Sequence, residues 1–134
     1  MSITSFVTAL AGLTVTGVTR KYTYPPLQIS TADLPVSFVR PPQSDYEPIA
    51  TCEDVNETAV CQLVVAIEPT GQNLQPTNYA AMLAMVDAVN DTLRTNQFSL
   101  GALVSWTIAA QDREPVIVGG TPYWGVTATV TKRG

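Results

Sequence analysis

Few side chains in this sequence are able to do chemistry, and their spacing narrows what they can do. Histidine is absent, which removes histidine-based catalytic triads, imidazole metal ligands and imidazole proton shuttles. Ser5, Ser99 and Ser105 sit in no G-x-S-x-G context, and a serine nucleophile needs both a base and an oxyanion hole. Lys21 and Lys132 are the bases a serine–lysine dyad would have to use, and both are poorly placed for it. Glu53, Asp54 and Glu57 bring three carboxylates to a predicted turn. Oxygen donors of that kind can hold a hard cation, yet the EF-hand spacing is missing and a solvated loop is the expected reading. Cys52 and Cys61 flank the same turn. There is no C-x-x-C and no second pair, so neither a zinc site nor a redox pair is expected. A hairpin would bring the two thiols within the roughly 7 Å Cα separation of a disulfide. Synthesis in a reducing cytoplasm would keep them apart at first, and the two states stay open at this point.

Other signatures fall away for similar reasons. Gly119-Gly120 lacks the further glycines and the lysine of a phosphate loop, and reads as hairpin punctuation. The carboxylates form no glycosidase pair. Asn56-Glu57-Thr58 and Asn90-Asp91-Thr92 match the glycosylation sequon, but the second lies within a predicted helix, and both read as chance matches. No catalytic, cofactor-binding or metal-binding residue is therefore expected, and the chain reads as a protein that is not an enzyme.

Composition points the same way. The 134 residues fit one domain, 1–134, with a core of its own. Apolar residues make up 46% and charged residues only 13%, the opposite of a disordered chain. That charged share is about half the usual one, as expected of a subunit that buries much of its surface against others. The net charge is −4 and the basic residues are scattered, so no stripe exists to neutralise phosphates, and sequence-specific nucleic-acid binding is not expected. A mildly acidic surface can nevertheless line a DNA passage without sticking to it. No apolar run reaches the roughly 18–20 residues of a membrane helix. Met1–Leu13 lacks the basic start of a signal peptide, and folding in the cytoplasm is the expectation.

The elements that would position these residues follow from periodicity. Ser2–Leu13 reads as a short amphipathic helix, with Ile3, Phe6, Val7, Leu10 and Leu13 on one face. Residues 14–34 read as an extended excursion rich in threonine and stiffened by Pro25 and Pro26. Val36–Arg40 reads as a strand, residues 41–48 as an exposed loop, and Ile49–Glu53 with Val60–Glu68 as two facing strands. Thr77 is expected to cap the clearest helix, whose stripe is Tyr79, Met82, Leu83, Val86, Val89 and Leu93. Burying those side chains contributes roughly 1.5–3 kcal/mol each before entropy is subtracted. Leu103–Ala110, Pro115–Val118 and Tyr123–Thr131 read as strands, the last alternating Val126, Ala128 and Val130 with threonines. The sum is an α+β fold: a mainly antiparallel β-sheet with an N-terminal helix and one longer central helix packed on it.

Two stretches carry a resemblance. One is Tyr22-Thr-Tyr-Pro-Pro-Leu27, continuing to Thr31-Ala-Asp-Leu-Pro35; the other is Trp106-Thr-Ile108, then Val116-Ile-Val-Gly-Gly-Thr-Pro-Tyr-Trp-Gly-Val126 and the Thr/Val strand. With the helix Tyr79–Leu93 between them, the chain resembles the tail terminator (tail completion) proteins of long-tailed bacterial viruses. The resemblance covers most of the chain as an order of elements. It implies an α+β subunit of a homo-oligomeric ring, of about six copies, that caps the tail tube and stops its polymerisation. The ring also offers a surface to the head-side connector of the virion neck, with DNA passing through it. It implies no cofactor, no membrane and no catalytic residue. Its interface roles fall on Tyr24, Pro25, Pro26, Leu34 and Pro35 in a proline-containing arm at about 14–48, and on Tyr123 and Trp124 beside the glycine turn. The ordinary alternatives are a surface loop for the prolines and a core position for Trp124. Another neck component, a head-completion or connector protein, and a small-molecule binding module are the alternative functions.

Overall fold

A β-rich chain with two separated apolar periodicities has to bury two helices on a sheet, and the computed structural model has that form. It describes residues 3–48, 55–69, 76–100, 103–110, 116–118 and 120–133. In these, α1 (Ile3–Ala11) precedes β1 (Arg20–Lys21), a 3-10 turn (Thr31–Asp33), β2 (Val36–Val39) and β3 (Gln43–Pro48). Then follow β4 (Val55–Pro69), α2 (Pro76–Leu100), β5 (Leu103–Ala110), β6 (Val116–Val118) and β7 (Thr121–Arg133). All the strands belong to one seven-stranded sheet, ordered β1-β2-β4-β7-β5, with β3 also on β4 and β6 also on β7. Every pairing is antiparallel except β1 with β2. The fold is α+β, with both helices packed on a mostly antiparallel sheet.

The long partners β4 and β7 form the spine of the sheet, and strand alternation assigns their two faces. Cys61, Leu63 and Val65 stand opposite Val130, Ala128 and Val126, and all six are buried in the main core with Phe6 and Leu10 of α1 and Met82, Met85, Val89 and Leu93 of α2. The intervening residues point to the other face. There Val36, Phe38, Val64, Ala66, Val118 and Tyr123 make a second, smaller cluster, roofed by Tyr22, Ile29 and Leu34 of the arm. This accounts for the apolar character of both faces of β4: helices cover one and the arm covers part of the other.

Several elements differ from the sequence reading. Residues 43–48 are a strand, not a loop. Its prolines stand before it, at Pro41 and Pro42, and at its last position, Pro48, where an edge strand tolerates them. The strand that pairs with the first half of β4 is therefore Gln43–Pro48, whereas Ile49–Glu53, predicted for that role, lies outside the described residues. The central helix starts at Pro76 and runs to Leu100, so Thr77 is inside the helix instead of capping it. Proline is well suited to a first helical position, where its missing N–H is not needed. On this helix Met82, Met85, Val89, Leu93 and Leu100 are buried, while Tyr79 and Leu83 remain about half exposed. The turn before β7 has Gly120 at φ +83°, a left-handed conformation that glycine adopts without penalty.

Candidate assembly surface

Among the described residues, Ser105 and the two lysines considered for catalysis lie apart. Lys21 Nζ donates to Gly12 O at 2.8 Å and Thr14 Oγ1 at 3.1 Å, tying the first loop together. Ser105 lies opposite Thr131 on the open face of the sheet, whereas Lys132, only 2% exposed, points to the helix face. Cys61 is a free thiol 1% exposed. Its Sγ donates to Arg40 O at 3.3 Å, and burial pushes its pKa up to about 11. Cys52, Glu53 and Asp54 lie outside the described residues. Among the described residues no group of three metal-ligating side chains gathers. A groove of about 540 Å³ runs between Thr14, Thr16 and the α2 residues Asp87, Asp91, Thr95 and Asn96. Its lining is mixed, with Ala84 and Ala88 beside these polar side chains.

The arm is a built structure. Thr19 N and Arg20 N both donate to Pro35 O, and Tyr22 N donates to Ser37 O at 2.8 Å. Arg20 bonds Asp33 at 3.1 Å and lies 4.7 Å from the Tyr22 ring centroid. These ties and the packing of half-buried Tyr22 and Ile29 on the second cluster fix both ends of the stretch between them. From that stretch Tyr24 stands 67% exposed and Leu27 87% exposed, with Pro25 exposed and Pro26 half-buried. Leu34 and Tyr123 are brought together in the second cluster, Tyr123 being buried. Pro35 is half-buried and its carbonyl is an arm acceptor. Trp124, half-buried, packs on the main core across the sheet. The predicted interface residues therefore divide between an exposed loop and two interior clusters. Leu27 was not singled out from the sequence; an apolar residue after Pro-Pro with no periodic partner is the signal that marks it.

The open face of the sheet is the other large surface. Past the cluster under the arm it carries Ser105, Thr107 and Ala109 of β5 beside Thr131, Thr129 and Thr127 of β7, then Val60 and Gln62 of β4. Arg40 Nη1 donates to Gln62 Oε1 at 3.0 Å, and Gln62 Nε2 reaches Thr129 Oγ1 at 3.5 Å, so a polar row crosses the strands. Small hydroxyl side chains dominate this part of the surface. No helix of the described residues is long and apolar enough to cross a membrane. No protein-family model matches the chain, and no curated protein matches it in sequence.

Proposed function

We propose that the chain is a structural subunit of a long-tailed bacterial virus: a ring-forming tail terminator that caps the tail tube, stops its polymerisation and provides the surface for joining the head. The observation that carries this reading is the arm. Two large apolar side chains, Tyr24 and Leu27, are held out on a proline-stiffened loop whose ends are packed down. Such a loop loses little conformational freedom on docking against a neighbour. The low charge of the chain and the order of elements that resembles this family support the same reading.

In this reading the chain works by contact, with no reaction and no cofactor. Its partners are further copies of itself in a ring of about six, the tail-tube protein and a head-side connector, in the tail or neck of a virion assembled in the host cytoplasm. DNA passes through the ring without sequence-specific contacts. Adding the purified chain to polymerising tail-tube protein tests this. Tubes should stay short and carry a cap at one end by electron microscopy. Tubes that grow unchanged in excess chain contradict the reading, and binding to a portal-side protein instead would make it another neck component.

A further inference from the structure

A sheet that ends in an unpaired strand presents a row of backbone donors and acceptors to whatever strand comes next. Among the described residues, β5 pairs on one side only, with β7. Its sequence, Leu-Val-Ser-Trp-Thr-Ile-Ala-Ala, has eight residues and neither charge nor proline, so it lacks the usual devices that blunt an edge. At the far side of the sheet, β3 pairs with β4 alone. The other outer strands are shorter or covered: β6 has three residues, and β1 lies along Val36 and Ser37 of β2.

We infer that β5 is the acceptor edge for β3 of a second copy, joined antiparallel and head to tail, so that the sheet continues from subunit to subunit. Strand direction supports the join. Along the path β3, β4, β7, β5 each strand runs antiparallel to the one before it. A copy related by rotation about a ring axis that runs along the strands keeps these directions, so its β3 arrives antiparallel to β5. It also keeps its open face on the same side, which extends the threonine surface around the assembly. Symmetry favours this pairing over the alternatives. Two β3 strands side by side, or two β5 strands, would close after two subunits, whereas unlike edges propagate into rings.

The inference deepens the ring reading and rests on it in requiring a second copy. It is tested by backbone hydrogen exchange on the full chain across a concentration series, with mass measured on the same samples. As rings form, amides of β5 and of β3 should slow together by about tenfold or more, while those of β4 and β7 stay as they are. Rings without slowing in β5 overturn the strand join and leave the ring reading standing. Slowing in β5 alone, with dimers, also overturns it. A chain that stays monomeric, alone and with tube ends, removes both. Thr107→Pro and Ile108→Pro probe the two phases of the edge, since alternate amides point outward. One of them should give a folded chain that does not assemble under conditions where the parent does. If both fold and still form rings, the join is wrong; if both unfold, the exchange pattern decides.

Discussion

Cys61 and Trp106 are the residues at which interior chemistry is most exposed to test. The Cys61 thiol is raised from its ordinary 9.0 to about 11, chiefly by burial. The folded state thus keeps its proton when the unfolded chain has lost it, so this contribution to stability is whole below pH 9 and declines as pH rises from 9 toward 11. Urea midpoints should accordingly fall across that window for the parent chain. Peptide mapping after alkylation at pH 8 should find Cys61 unmodified in the native protein and modified once it is unfolded. Trp106 Nε1 donates to Asn90 Oδ1 at 3.0 Å, linking β5 to α2. Trp106→Phe should cost about 1 kcal/mol in urea unfolding. This pair is not legible in the sequence, where Asn90 is not part of the helix stripe. A side-chain bond between elements depends on how the helix sits on the sheet, which periodicity does not specify.

At the scale of elements, periodicity located the two helices and most of the strands, and missed where packing or pairing overrode it. On α2 the buried stripe keeps Met82, Val89 and Leu93, adds Met85, and leaves Tyr79 and Leu83 about half exposed. The apolar side of the helix is broader than the contact it makes. Leu93→Ala should therefore cost about 2–5 kcal/mol, and Leu83→Ala less than about 0.5 kcal/mol, both read from urea unfolding. Strand β3 was hidden by its flanking prolines, because only its pairing with β4 shows that it is an edge. The arm was legible as an extended, proline-stiffened segment, but its docking on its own sheet through Tyr22, Ile29 and Leu34 was not. Deleting residues 20–28 to test the arm would remove β1 and Tyr22 from the fold. The sharper probe is Tyr24→Ser with Leu27→Ser, which should leave the thermal midpoint nearly unchanged and weaken assembly at least about tenfold by sedimentation.

At the scale of the whole molecule, the α+β class followed from the order of helices and strands, whereas the sheet order did not. β4 and β7 are distant in sequence and adjacent in space, and local patterns do not identify partners across such a gap. Among the described residues, the result is a sheet with helices on one face, an arm over part of the other, a threonine-rich surface beside it and two unlike open edges. These features suit a subunit that acts by joining others. The most direct test is the mass of the purified full chain in solution over a concentration series, with the same samples viewed by negative-stain electron microscopy. A closed ring of about six subunits is the expected result. A chain that remains monomeric at every concentration, and also in the presence of tail-tube ends, would contradict it.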